Sequence, residues 1–240
     1  MLSVSIRLEF SMARWEKHGT TSNATLRLLF YWANFFKKVG NFIYPIKSLI
    51  EVIEFQVWIK KSFGRVQVYR SKKELLDLII GRCKASGQTI YYEFGVAFGE
   101  TAKYLVRNAG TNFEYHGFDT FEGLPKAWRR LPKGAITNHG RVPDLTGPNI
   151  FFHKGLIQNT IDQVDFSSSA KKCIILDFDL YEPTLLTFKH IERKLNPGDI
   201  LYFDEAFDSD ERVIIENYFI DNYEFEILGA TVFGLAFEMK

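Results

Sequence analysis

The stretch Tyr91-Tyr92-Glu93-Phe94-Gly95-Val96-Ala97-Phe98-Gly99 constrains the fold of this chain more than any other. It reads as a buried strand carrying an acid, followed by a glycine-bearing turn that opens a helix near Glu100. A helix N-terminus presents free backbone N–H groups. Glycine lets the backbone approach a ligand closely. Asp119 follows twenty residues after Gly99, at the end of a short apolar strand. An acid there can accept hydrogen bonds from ribose hydroxyls. The dinucleotide fingerprint requires G-x-G-x-x-G, but this turn is E-x-G-x-x-x-G. Two glycines behind Glu93 suit a cofactor with an amino group and no pyrophosphate, and S-adenosylmethionine fits that description. A plain structural turn is the alternative.

Downstream the chain alternates. Strands are expected over 89–94, 113–118, 149–153, 172–178 and 200–203, with helices over 100–108, 156–164, 183–195 and 210–219. The segments 223–228 and 231–238 close the chain as a hairpin around Gly229-Ala230. Such alternation ending in a hairpin gives an α/β fold: a Rossmann-like, doubly wound, mostly parallel sheet with an antiparallel edge. Residues 119–149 hold four of the seven prolines, so a long loop is expected there. Ser71-Lys72-Lys73-Glu74 is a capping box that starts a helix with Leu75, Leu76, Ile79 and Ile80 on its apolar face. Residues 1–68 read as an N-terminal helical extension and 69–240 as the main domain. A helix is expected over 23–38. A second starts near Pro45 with Ile46, Leu49, Ile50, Ile53 and Val57 on one face. That face suits packing or an oligomer contact, or a membrane surface.

Two apolar strands end in acids. Ile174-Ile175-Leu176 runs into Asp177-Phe178-Asp179, and Leu201-Tyr202-Phe203 runs into Asp204-Glu205. In a doubly wound sheet ligands bind at the carboxyl ends of the strands. If the two strands are neighbours, Asp177, Asp204 and Glu205 converge, and carboxylates that close repel unless a cation lies between them. Oxygen ligands of this kind suit Mg²⁺ or Ca²⁺. Helix capping is the alternative reading, and it suits Asp179 best. Methyl transfer from a sulfonium is an in-line displacement that needs alignment and a nucleophile. A divalent ion lowers the pKa of a bound hydroxyl, and Asp177 can take the proton.

These residues resemble a known family. Gly117-Phe118-Asp119-Thr120-Phe121-Glu122-Gly123-Leu124-Pro125 resembles the signature of macrocin O-methyltransferase-type enzymes, which are class I S-adenosylmethionine-dependent methyltransferases. Asp177-Phe178-Asp179-Leu180-Tyr181-Glu182-Pro183-Thr184 is similar to their D-x-DLY segment, with Pro183 where Ser is usual. Lys154–Thr160, Asn196–Ile200 and Phe203-Asp204-Glu205 resemble further elements in the same order. The resemblance implies a seven-stranded sheet with an antiparallel last strand. It implies cofactor binding by Glu93, Gly95, Ala97, Gly99 and Thr101, with Asp119 on the ribose. It implies Mg²⁺ on Asp177, Asp204 and Glu205, with Asp177 as the candidate base. The acceptor it implies is a small hydroxylated molecule such as a sugar or glycosylated metabolite.

Composition narrows the partners. The net charge is +1, so there is no global pull toward nucleic acid. The first 70 residues nevertheless carry 11 Lys and Arg against 4 Asp and Glu. That basic arm either touches an anionic membrane surface or packs on the acidic half of the chain. Two cysteines give neither a metal spacing nor a disulfide framework. No apolar run is long enough to span a membrane, and no leader is evident, so a cytoplasmic protein is expected, with a homo-oligomer as one assembly. Two other readings stay open. One is a nicotinamide-dependent oxidoreductase, which would want the third glycine. The other is a non-catalytic binding or surface-anchored protein that kept the fold.

Overall fold

Seven strands form one sheet in the order β3-β2-β1-β4-β5-β7-β6 in the computed structural model, which describes residues 48–240. The strands are β1 (Thr89–Phe94), β2 (Phe113–Asp119), β3 (Ile150–Lys154), β4 (Lys171–Leu176), β5 (Ile200–Phe203), β6 (Phe225–Ala230) and β7 (Leu235–Met239). β1 to β5 pair in parallel, whereas β7 runs antiparallel to both β5 and β6. This is the α/β arrangement expected from the alternation, with its antiparallel last strand.

The central strands are buried on both faces. β1 is buried at every position, as a strand in a parallel sheet covered by helices must be. Alternate residues feed two separate cores. Tyr91, Cys173, Ile175, Ile200 and Tyr202 point to one core, which also takes Leu75, Leu76, Ile79, Ile80 and Cys83 of α2 (Lys72–Lys84). Ala102 and Leu105 of α3 (Glu100–Asn108) join them. Tyr92, Phe94, Ile174, Leu176, Leu201 and Phe203 point to the other core. There they meet Phe188 and Ile191 of α5 (Tyr181–Ile191) and Ile214 of α6 (Ser209–Ile214). The short helix α4 (Ile157–Thr160) adds Ile157. Residues 51–240 form one compact unit. Its first helix, α1 (residues 51–63 of this unit), packs Phe55 and Ile59 into the second core.

Several expectations need correction. Of the apolar face assigned to the Pro45 helix, Leu49, Ile50, Ile53 and Val57 are all exposed, and it is Phe55 and Ile59 that are buried. The buried residues, one aromatic and one aliphatic, lie on another face of the same helix. The helix expected over 23–38 lies outside the described residues, as do Pro45 and Ile46. α5 begins at Tyr181 rather than at Pro183, because proline in the first turn leaves no lost hydrogen bond. The closing turn falls at residues 231–234, not at Gly229-Ala230. Thr231 closes it, its Oγ1 accepting the N–H groups of Phe233 at 3.2 Å and Gly234 at 2.8 Å.

Ser71 caps α2 as expected, with the return bond from Glu74 shifted one residue back, to Arg70. Ser71 Oγ accepts the Glu74 N–H at 3.2 Å, and the Glu74 carboxylate accepts the Arg70 N–H at 3.0 Å. This cap fixes where α2 begins, and so where Lys72 stands.

Candidate active site

Register brings the strand ends together. Phe94 lies beside Leu176, and Leu176 beside Phe203. The ladder continues past both ends: Asp177 N–H donates to Phe94 O at 2.8 Å, and Asp204 N–H donates to Leu176 O at 3.0 Å. Gly95, Asp177 and Asp204 therefore sit side by side at the carboxyl edge. The backbones approach so closely that a Cβ on Gly95 would fall 1.8 Å from the Asp177 carbonyl oxygen. Gly95 also adopts φ +98°, a left-handed conformation that glycine takes without strain.

A cavity of about 780 Å³ opens along this edge. Glu93, Gly95, Ala97, Thr101 and Asp119 line it, together with Asp177, Phe178 and Asp179 from the segment after β4. Gly99 does not line it. It serves the turn, with φ +76° and no room for a Cβ against Pro143. Asp204 and Glu205 do not line it either. Of the residues expected to bind cofactor, all but Gly99 thus share one cavity, and of the metal trio only Asp177 reaches it.

Glu93 lies fully buried at the cavity floor. Its carboxyl accepts the Tyr115 hydroxyl at 2.7 Å. Gly117 faces Glu93 across the ladder, and a side chain there would crowd that hydroxyl. Burial pushes the Glu93 carboxyl up to about 8, against the downward pull of Tyr115 and Lys72. Asp119 ties two loops together: one oxygen accepts the Ala97 N–H at 2.7 Å and the other the Phe121 N–H at 2.6 Å. Each carboxylate oxygen has a second lone pair, so Asp119 can still accept from a ligand.

The metal trio is arranged differently from the expectation. Lys72 Nζ stands between two of its members, 2.9 Å from Asp177 Oδ2 and 2.8 Å from Asp204 Oδ2. The other oxygen of Asp204 accepts the Tyr202 hydroxyl at 2.5 Å. Burial alone would lower the Lys72 ammonium pKa, but the two carboxylates outweigh it and hold the group firmly charged. Glu205 lies beside Arg129 and Asp179, and burial with the nearby Asp204 charge pushes it up to about 8. Among the described residues no group of three or more side chains is placed to hold a metal ion. The residues present do not fit Mg²⁺ as arranged, because the Lys72 ammonium lies between Asp177 and Asp204, where a bridging cation would stand.

Asp179 does not cap the following helix, as the sequence suggested. Leu180 is the capping position, and the Tyr181 N–H instead donates to Asp210 at 3.3 Å. Among the described residues the Asp179 carboxyl has no hydrogen-bond partner. It sits on a left-handed residue, φ +62°, and lines the cavity. Burial first, then the Asp204 and Asp208 charges, push it up to about 7. Positive φ in a non-glycine residue costs on the order of 1 kcal/mol and persists where the surroundings impose it.

The loop over 120–149 is folded rather than slack. The Leu124 N–H donates to Ala135 O and the Gly134 N–H to Leu124 O, and the Asn138 and Gly140 N–H groups both reach Phe121 O. Arg129 anchors it, donating to Asp208 at 2.7 Å and to Glu51 at 3.0 Å while lying 4.5 Å over the Phe207 ring. Gly123, Leu124, Pro125, Lys126 and Ile136 of this loop form one wall of the cavity.

Known proteins share this architecture. The calicheamicin methyltransferase CalS11 superposes with a TM-score of 0.55 at 19% identity, over 69% of this chain and 78% of that one. The O-methyltransferase NovP gives a TM-score of 0.51 at 16% identity, over 70% of this chain and 80% of that one. The fold is therefore the Rossmann-like fold that methyltransferases use. No family profile matches the chain, and no curated protein matches it in sequence.

Proposed function

We propose that this protein is an S-adenosylmethionine-dependent O-methyltransferase acting on a hydroxyl of a small molecule, such as a sugar or glycosylated metabolite. The observation that carries this reading is one cavity lined both by the Glu93-to-Thr101 turn and by Asp177 and Asp179. The likeness of its fold to two methyltransferases, one of calicheamicin and one named an O-methyltransferase, supports it.

When bound, S-adenosylmethionine supplies an electrophilic methyl group. Glu93 would take its amino group, the Gly95 and Ala97 backbone would lie against it, and Asp119 would accept from its ribose. Asp179 is the better-placed base on this geometry. Asp179 lines the cavity with no hydrogen-bond partner among the described residues, whereas Asp177 is held by Lys72. A base with pKa near 7 is matched to proton abstraction at neutral pH. The chain's own groups do the rest: the 120–149 loop shields the cavity, and Phe98, Leu156 and Leu186 offer apolar surface at its rim.

The test is calorimetric titration of the purified protein with S-adenosylmethionine, followed by a screen of hydroxylated acceptors. Micromolar binding and transfer to a hydroxyl are expected. Absence of binding would remove the cofactor assignment and with it the function.

A further inference from the structure

We propose that Lys72 is a built-in cation that takes the place of a divalent metal ion between Asp177 and Asp204. The proposal rests on the methyltransferase reading only for its relevance to catalysis; the geometry stands without it.

Three observations carry it. First, the ammonium makes two contacts of 2.8 and 2.9 Å, one to each of the acids at neighbouring strand ends. Their side chains are 21% and 14% exposed, so these are sheltered carboxylates that need a compensating charge. Second, the lysine is delivered by rigid structure. It is the first residue of α2, whose start is set by the Ser71 cap, and the next turn is pinned by buried Leu75 and Leu76. Third, Asp204 is held in orientation: its other oxygen accepts the Tyr202 hydroxyl, which leaves Oδ2 facing the lysine, and a Cβ on Gly234 would fall 2.7 Å from that hydroxyl.

An ammonium differs from a divalent ion in what it can do. It carries one charge, donates hydrogen bonds and accepts no lone pair, so it cannot polarise an acceptor oxygen by coordination. Lys72 does not line the cavity. It is thus a positioning residue: it holds Asp177 and Asp204 in place and offsets their repulsion. Proton removal from the acceptor falls to a cavity carboxylate alone.

The experiment is a Mn²⁺ titration of the full chain, read by the loss of the free-ion electron paramagnetic resonance signal. The wild type is expected to leave that signal unchanged at micromolar protein and metal. Lys72→Met, which removes the charge and keeps the stem, is expected to gain one Mn²⁺ site, bound about tenfold or more tighter than any wild-type binding. Adding Asp204→Asn to it should abolish the gained site. Lys72→Arg keeps a cation and should bind no Mn²⁺. A single micromolar Mn²⁺ site in the wild type that Asp177→Asn removes would overturn the proposal, and this arm needs no Lys72 variant to fold. A folded Lys72→Met protein, checked by circular dichroism, that binds no more Mn²⁺ than wild type would overturn it equally. Neither result depends on methyl transfer, so a failure of the functional reading would leave them intact.

Discussion

Asp179 and Glu93 show how a carboxylate's surroundings assign its work. Both are pushed upward by burial, Asp179 to about 7 and Glu93 to about 8. The consequences differ because their partners differ. Asp179 lines the cavity and its carboxyl has no hydrogen-bond partner among the described residues, so Asp179→Asn should lower kcat by roughly 100-fold or more while leaving cofactor affinity within a few fold. The acid limb of the wild-type rate profile should lie near pH 7, rising as Asp179 loses its proton, and steady-state kinetics across pH 5.5–9 would show it. Unchanged turnover in the Asn variant would return the role of base to Asp177. Glu93 is protonated at pH 7 in the free protein. Capture of an ammonium group would favour its ionised form, so cofactor binding should release close to one proton. Calorimetry in buffers of different ionisation enthalpy reads that release directly. Glu93→Gln should eliminate it and weaken binding by about tenfold or more, since a charge-assisted bond is lost. Lys72 was the residue that sequence reasoning passed over. A lysine at the first position of a capped helix looks like an ordinary solvated charge, and its partners lie 105 and 132 residues away.

At the level of elements, the chain announced its strands well and their ends less well. β1, β5 and α3 fall where the hydrophobic pattern puts them. Short apolar runs bounded by turn residues leave little choice. Misses came where two local signals competed. At Gly229-Ala230 the glycine reads as a turn, yet it belongs to β6, where a Cβ would meet the Tyr69 ring at 2.5 Å. At α1 the stripe read from the sequence is the exposed one, because Phe55 and Ile59 on another face take the core positions. Whether Asp177 and Asp204 would adjoin depended on strand order, which no local pattern carries; β4 and β5 do pair, and the two acids meet. The junction of β1 with β4 makes a sharp prediction. Gly95→Ala would place a methyl on the Asp177 carbonyl and force a left-handed alanine. It should destabilise the protein by on the order of 3 kcal/mol and displace Asp177. Urea unfolding measures the first effect. A variant as stable as wild type would mean the strand ends are looser than the structure has them.

Across the described residues the carboxyl edge of the sheet gathers several acids whose pKa values burial and mutual repulsion raise. Glu93, Asp179 and Glu205 are all raised, and Glu211 beneath them is fully buried and raised well above its usual range by burial and by Asp177, Asp204 and Glu205. Lys72 and Arg129 offset part of this charge. The sign of the pH dependence follows. A carboxyl whose pKa is higher in the folded chain holds its proton more tightly there than in the unfolded chain. The folded state then binds more protons than the unfolded one, and stability falls as pH rises from the unfolded value to the folded one. For these groups the loss runs from about pH 4.5 to about pH 8. Two histidines oppose it at the lower end, since burial lowers His153 and His190 and makes the fold release their protons. Their contribution fades above their unfolded value near pH 6.5, and the raised acids then set the direction. Urea midpoints should therefore fall between pH 6.5 and 8.5, by an amount equivalent to at most a few kcal/mol. Glu93→Gln should flatten part of that fall and be no less stable than wild type at pH 8.5, because it removes a buried charge that the high-pH fold must carry. A ligand amino group beside Glu93 should flatten it too, so saturating S-adenosylmethionine should raise the midpoint more at pH 8.5 than at pH 6.5. Stability that climbs through this window would mean that the acids at the sheet edge are already paired as ions in the free protein.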